Sequence, residues 1–455
     1  MVRGFSILSS DRRMKLKFNI QRACRYAALM AVVSGFSSIS LCQAGDLAEK
    51  TSFKFQFAPG RVAPGYIQVS PGTTYSQETG YGFDLGTKPE IVARGEGDPS
   101  RDGFCTSEKP FFFSVKVPEG NYRVTVTLGD IEGESITTVK AELRRLMLER
   151  VRTRKDELVT RSFTVNVRTP KIAGDGEVRL KDREKKSEVL AWDEKLTLEF
   201  NDDRPCVVAL EIAKVEDATT VYLLGDSTVC DQPLEPWNSW GQMLTRFFKP
   251  GVAVANNAES GESLKSSLGA HRLDKVLSTM KPGDYLFVQY GHNDMKEKGE
   301  GIGAFTSYKT DLKYFVTEAR KRGGIPVVVT SMNRKNFDAS GKITNTLGDY
   351  PEAVRQLAKE EQIPLIDLHA MSKTLYEAIG PKDIAKAFQD GTHHNNYGSY
   401  ELAKCMVEGI KADKLGLVKF IADDVSPFDP SHPDSIDDFK IPTSPQVSLQ
   451  KPDGS

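Results

Sequence analysis

With 455 residues, a formal net charge of −1, and 39% apolar against 27% charged residues, the chain has the composition of a soluble globular protein. Its length exceeds what one ordinary hydrophobic core organises, so two or three domains are expected. The near-neutral balance removes the electrostatic ground for nucleic acid or an anionic membrane as partner.

Arg3, Arg12, Arg13, Lys15, Lys17, Arg22 and Arg25 precede an apolar run at 26–36, and Cys42-Gln-Ala44 follows it. That order of basic, apolar and small-residue regions describes a signal peptide over 1–44, which predicts a secreted or periplasmic protein with no membrane attachment after cleavage. The apolar run is shorter than the about 20 residues of a membrane span. Leu41 stands before Cys42, where a lipid-attachment signal calls for a small residue. Cleavage leaves Cys105, Cys206, Cys230 and Cys405. Two disulfides, Cys105–Cys206 and Cys230–Cys405, would respect the domain division; four buried free thiols are the alternative.

Residues 50–218 read as short strands between Gly and Pro turns, the pattern of an all-β sandwich. Alternation marks 53–57, and the stretches 111–117 and 122–128 around Pro118-Glu-Gly-Asn121 read as a hairpin. Further strands are expected at 162–168, 196–200 and 207–212. The segment 141–158 fits either an amphipathic helix or a long hairpin arm. A basic cluster runs through it: Lys140, Arg144, Arg145, Arg150, Arg152, Arg154, Lys155 and Arg161. Guanidinium groups suit an acidic polysaccharide, but the interleaved Glu142, Glu149, Asp156 and Glu157 favour an ordinary solvated face. The charged stretch 181–186 reads as an exposed loop.

From 219 to 416 the periodicity changes. Apolar runs at 221–224, 252–255, 285–289, 325–330 and 363–368 alternate with helical stretches at about 238–249, 262–280, 305–322, 346–361 and 395–412. Five buried strands separated by helices make a three-layer α/β domain, for which a flavodoxin-like strand order is expected. The Pro-, Asp- and Ser-rich stretch 417–455 cannot form a core of its own. It is expected to strap over a domain in part and to fray from about Ser444.

Chemistry gathers at the strand ends. The first α/β strand runs into Gly225-Asp226-Ser227-Thr228, and a parallel sheet presents functional groups at its carboxyl edge. Ser227 is therefore a candidate nucleophile, although Asp-Ser-Thr also forms turns and helix caps. After the second strand Gly261 offers a backbone N–H, and after the third Asn293 offers a carboxamide. Together with the Ser227 N–H these make a candidate oxyanion hole. Asp390-Gly-Thr-His393 places a base and its orienting carboxylate on one loop: His393 takes the serine proton while Asp390 holds the other imidazole nitrogen. Trp237 and Tyr290, with Asp226, are the candidate substrate-binding residues, whereas Trp240 reads as core. His292, His393 and His394 lack zinc-ligand spacing and no strand leads into Gly299-Glu-Gly-Ile-Gly303, so neither metal nor cofactor is expected.

The four blocks Gly225-Asp226-Ser227, Gly261, Gly291-His-Asn293-Asp294 and Asp390 to His393 resemble those of the SGNH (GDSL-type) hydrolases over about 220–412. The wording of Leu224 to Thr228, Trp240-Gly-Gln-Met243 and Gln289 to Asp294 is most similar to the rhamnogalacturonan acetylesterases in that family. The stretch Pro118-Glu-Gly-Asn-Tyr-Arg-Val124 gives the β-rich region a likeness to a galactose-binding-like module. The resemblance implies a Ser-His-Asp acyl-enzyme mechanism that removes O-acetyl groups from a pectic polysaccharide, an acetylated polysaccharide being the partner. It leaves the oligomeric state open. Acetylated xylan or an acyl lipid are alternative esters, and a glycan-binding protein with a vestigial esterase fold is an alternative of another class. The polar loops 231–238, 295–304 and 333–345 weigh against a lipid cleft. The complete Ser, Asp and His set weighs against a vestigial site.

Overall fold

The computed structural model describes residues 50–95, 97, 98, 101–446 and 452. The expected signal peptide, with Cys24 and Cys42, lies outside the described residues.

The first part is a sandwich of two β-sheets. Its strands are β1 (Ser52–Phe57), β2 (Ile67–Val69), β3 (Tyr81–Asp84), β4 (Glu90–Ala93), β5 (Gly103–Thr106), β6 (Phe111–Lys116), β7 (Gly120–Gly129), β8 (Ser135–Ala141), β9 (Arg145–Thr153), β10 (Leu158–Val167), β11 (Lys195–Asn201) and β12 (Cys206–Lys214). One sheet runs β10-β7-β12-β1-β2, with β5 also on β12 and β4 on β5; the other runs β3-β6-β11-β8-β9. Period-two alternation turns Phe55, Phe57, Phe83, Phe111, Phe113 and Phe200 between the sheets. Several of these rings meet edge to face, Phe55 and Phe113 with centroids 5.1 Å apart.

One sequence expectation is overturned here and two open alternatives are decided. The stretches 111–117 and 122–128 are not a hairpin: β6 pairs with β3 and β11, while β7 pairs with β10 and β12. Pro118 to Gly120 instead carries the chain from one sheet to the other, and Tyr122 Oη donates to the Pro118 carbonyl at 2.7 Å. The ambiguous 141–158 stretch resolves as the β8–β9 hairpin, with Glu142 (φ 53°) and Arg144 (φ 63°) in its turn. The four cysteines among the described residues, Cys105, Cys206, Cys230 and Cys405, are free thiols, all buried. Cys105 faces Val207 across β5 and β12 while Cys206 faces Thr106, so the pleat sends the two sulfurs to opposite sides of one sheet.

The α/β part carries a five-stranded parallel sheet built from β13 (Thr219–Gly225), β14 (Val252–Asn256), β15 (Tyr285–Gln289), β16 (Ile325–Val329) and β17 (Leu365–Ile366). Its order, β14-β13-β15-β16-β17, is the expected flavodoxin-like one. Around it lie α1 (Glu184–Ser187, from the sandwich), α2 (Trp240–Leu244), α3 (Leu264–Gly269), α4 (Arg272–Thr279), α5 (Lys309–Lys321), α6 (Tyr350–Glu361), α7 (Leu368–Asp383) and α8 (Asn396–Ala412). The apolar strands are buried on both faces, by one cluster containing Leu223, Trp240 and Phe287 and another containing Leu224, Leu286 and Phe315. The expected helix at 262–280 is two helices, because His271 adopts a left-handed conformation (φ 61°) between α3 and α4. Helix α7 has no counterpart among the expected helices.

The basic cluster is divided. Arg152, Arg154, Lys155 and Arg161 are exposed as expected, but Lys140, Arg144 and Arg145 are buried at the contact between the two folds. Arg144 pairs with Glu235 at 2.7 Å and donates to the Gln232 and Trp237 carbonyls. Arg145 pairs with Asp231 at 2.7 Å. Two guanidinium groups on the hairpin turn thus hold the loop that follows the nucleophile. The tail straps this contact: Lys140 Nζ donates to the Pro442 carbonyl and to Ser444 Oγ, both at 2.7 Å. Ser444 is therefore a buried anchor and not the start of a frayed end.

Candidate active site

Strand β13 delivers Ser227 two residues beyond its carboxyl end, and the α8 side of the fold delivers the loop 390–393. They meet: Ser227 Oγ lies 2.7 Å from His393 Nε2, and His393 Nδ1 lies 2.9 Å from Asp390 Oδ2. Asp390 Oδ1 also accepts the backbone N–H groups of Thr392 and His393, each at 2.7 Å, so the loop folds around its own carboxylate. Burial works to raise the Asp390 carboxyl. The His393 imidazole and the two N–H groups outweigh it and hold the group far below the usual carboxylate range. Asp390 is thus kept anionic, the form that stabilises a protonated His393.

His394, the neighbour, is built for something else. Its Nε2 lies 2.8 Å from Tyr376 Oη, its ring packs on Phe388, and burial depresses it to about 3, so it stays neutral.

The nucleophile turn is braced from below. Asp226 is fully buried; its Oδ1 accepts the Thr228 N–H at 2.9 Å and the Thr228 hydroxyl at 2.7 Å, and Oδ2 lies 3.3 Å from His292 Nδ1. Although burial opposes ionisation, His292 and Thr228 lower the Asp226 carboxyl below its usual value. Gln289 Nε2 donates to Thr228 Oγ1, and Trp240 Nε1 donates to Gln289 Oε1. This chain of buried bonds fixes Ser227 without touching a ligand. Asp226 is consequently a bracing residue, which corrects its expected place in substrate binding.

Tyr290 is a second correction. Its ring is in the core at 1% exposure, and its hydroxyl donates to Ser267 Oγ at 2.8 Å. The residue sits one position past β15, where the pleat points it toward α3 and α5, away from solvent. Trp237 is at the site but is a wall of it: its ring meets the His393 imidazole edge to face at 5.9 Å and is 5% exposed. Stacking on a sugar face needs an open ring, so that expectation for Trp237 is also revised.

Gly261 (φ 77°) and Asn293 lie on the two loops after β14 and β15. Glu259 N–H donates to the Gly225 carbonyl at 3.1 Å, tying the Gly261 loop to the nucleophile block. Asn293 Nδ2 donates to the Glu262 carbonyl at 3.0 Å, tying the two donor loops to each other.

The sequence reading missed two groups. Arg334, after β16, donates through Nε to Thr392 Oγ1 at 3.2 Å and through Nη1 to Thr346, bridging the histidine loop to the 340s. A basic residue just past a parallel strand was the available signal. The stretch 181–186, expected as an exposed loop, instead reaches the Gly261 loop: Lys181 donates to the Ser260 carbonyl and Arg183 pairs with Glu259, with Glu184 and the following Glu188 buried beside them. Carboxylate oxygens of Glu184, Glu188 and Glu259 lie within 4.8 Å of one another, the spacing of a cation site. Arg183 holds Glu188 and Glu259, Arg272 holds Glu184, and burial pushes Glu188 and Glu259 above the usual carboxylate range. Carboxylates already held by guanidinium groups, with burial opposing their ionisation, are poorly suited to serve as the ionised ligands a metal requires.

Comparison with known proteins matches this geometry to one lineage. Residues 223–399 fit the GDSL-like lipase/acylhydrolase family, and residues 53–147 fit the β-agarase/YXIM esterase-like, galactose-binding domain-like family. Rhamnogalacturonan acetylesterase RhgT of Bacillus subtilis is 40% identical over 214 residues, which cover 43% of this chain and 90% of RhgT. The B. subtilis protein named uncharacterized esterase YxiM is 28% identical over 381 residues, 80% of this chain and 92% of YxiM. The crystal structure of B. subtilis YxiM covers 80% of this chain and 99% of that one at 26% identity, with a TM-score of 0.44. The 40% identity to RhgT, over 90% of that protein, goes beyond a likeness of fold: the chain is a carboxylic ester hydrolase and belongs to the GDSL-like lipase/acylhydrolase family.

Proposed function

We propose that the chain is an exported carbohydrate esterase that removes O-acetyl groups from rhamnogalacturonan. The observation that carries the mechanism is the unbroken relay from Ser227 Oγ through His393 to Asp390. Ser227 Oγ attacks the acetyl carbonyl carbon as His393 Nε2 takes its proton. The carbonyl oxygen becomes an oxyanion held by the Ser227 and Gly261 N–H groups and the Asn293 carboxamide. The carbon–oxygen bond to the sugar breaks, and the sugar hydroxyl leaves with the proton from His393. Water, deprotonated by His393, then attacks the acetyl carbon; the bond to Ser227 Oγ breaks, His393 returns the proton to that oxygen, and acetate is released.

The 40% identity to RhgT supports the choice of polymer. So does Arg334, whose cationic head lies beside the histidine loop and suits the uronate carboxylates of a pectic backbone. Export follows from the basic, apolar and small-residue order of 1–44.

The test is acetate release from acetylated rhamnogalacturonan, with acetylated xylan and a short-chain chromogenic ester in parallel. Ser227→Ala is expected to lower kcat by about 10⁴-fold or more on every substrate the wild type hydrolyses. Turnover of the small ester alone would remove rhamnogalacturonan from the proposal, and turnover of xylan in its place would reassign the polymer.

A further inference from the structure

The loop between β14 and α3 is gripped from outside its own fold. Lys181 Nζ, from the sandwich side, donates to the Ser260 carbonyl oxygen at 2.5 Å and pairs with Glu262 at 2.9 Å. Arg183 Nη2 donates to Ser260 Oγ at 3.0 Å, and its Nε lies 3.1 Å from Glu259 Oε1. Ser260 is wholly buried, and its hydroxyl also lies 3.2 Å from Gln232 Nε2.

The Ser260 carbonyl and the Gly261 N–H belong to one peptide group. That group is planar, so whatever fixes the direction of the C=O fixes the direction of the N–H on its other side. A cation on the carbonyl oxygen also draws density through the conjugated amide and makes the N–H a stronger donor. Gly261 itself, at φ 77°, occupies the left-handed region where glycine has no steric restraint, so the peptide depends on such outside contacts for its orientation.

We propose that Lys181 is a positioning residue for ester hydrolysis, holding and polarising the Ser260–Gly261 peptide so that its N–H meets the oxyanion, with Arg183 fixing the Ser260 side chain. The β-rich module is thereby part of the working enzyme and completes an active site on the other fold. The inference rests on the reading of Gly261 as an oxyanion donor.

An oxyanion contact is made in the transition state more strongly than in the bound substrate, so its loss falls on kcat. The full chain carrying Lys181→Met, Lys181→Arg or Arg183→Gln is assayed on a short-chain chromogenic acetyl ester, which cannot reach a distant polymer subsite. Lys181→Met is expected to lower kcat about 10-fold or more, a share of the 10²- to 10³-fold that a whole donor is worth. KM is expected to stay within about twofold, and Lys181→Arg, which keeps a cation in reach, to recover part of the loss. Arg183→Gln is expected to move kcat in the same direction. Wild-type kcat in Lys181→Met, whatever Arg183→Gln does, or a loss confined to KM, overturns the proposal. Ser227→Ala assayed beside them separates the two failures: if it is inactive while Lys181→Met is normal, only the positioning role falls, whereas an active Ser227→Ala removes the catalytic reading itself.

Discussion

Arg334 donates to the Thr392 hydroxyl, to Thr346 and to the His292 carbonyl, all neutral acceptors, and burial depresses its basicity against the opposing pull of the nearby Asp226 and Asp390 carboxylates. Its charge is thus available to a ligand anion. A charge-assisted hydrogen bond to a uronate would contribute roughly 1.5–3 kcal/mol. Arg334→Gln is therefore expected to raise KM for acetylated rhamnogalacturonan by about 10-fold or more while leaving KM for a small neutral ester unchanged. An equal change on both substrates would mean that the guanidinium supports the histidine loop and does not read the polymer. The Ser227, His393 and Asp390 set was legible in the sequence because each member sits in a short contiguous block at a strand end. Asp226 and Tyr290 were misjudged for one physical reason. Residues adjacent to a strand end still follow the pleat, and the sequence names the residue without saying which way it points.

Asp294 joins two elements: its Oδ1 accepts the Leu264 N–H at 2.9 Å, so the Asn293 loop is pinned to the start of α3. Burial raises its carboxyl to about 7, and its Oδ2 has no hydrogen-bond partner. A group whose folded pKa lies above its unfolded value stabilises the fold when protonated. That stability is present below the unfolded carboxyl value of 3.8 and is lost as pH rises through about 7. Asp294→Asn does not titrate, so the Tm of the variant minus that of the wild type is expected to grow between pH 5 and pH 8. A difference that stays flat over that range would show that Asp294 is not the titrating group. At this scale the sequence was legible where periodicity was long and clean, as in β15 or α8. It failed at His271, where a left-handed residue splits one amphipathic stretch into two helices. It failed again at 181–186, because a run of alternating charges looks solvated unless its partners, some 70 to 90 positions away, are known.

Buried charge runs through the contact between the two folds. Lys140, Glu199, Glu235 and Arg144 form a buried cluster completed by the tail: Ser444 N–H donates to Glu235 Oε1, Ser444 Oγ to Glu199 Oε2, and Glu235 N–H to the Gln446 carbonyl. Breaking a buried ionic network by removing some of its partners is costly because the remaining charges stay desolvated. Truncation after Lys440 is expected to lower unfolding free energy by roughly 2–5 kcal/mol, read as a shifted urea midpoint. An unchanged midpoint would show that the strap lies on the cluster without supporting it. The division into a sandwich and a doubly wound sheet was legible from the change of period, whereas crossover rules fix only the hand of each connection and left the strand order to be guessed. The interface was not legible, since it is written in isolated charges on opposite sides of that division. Its construction also sets an order of assembly. Residues 442–446 are synthesised after every partner they touch, so a growing chain can complete the hydrogen-bond ladders of both folds while Lys140 still waits for its Pro442 and Ser444 acceptors. Each fold is free to find its own register first, and the strap's share of the seam, unlike the Arg144–Glu235 and Arg145–Asp231 pairs, is completed last.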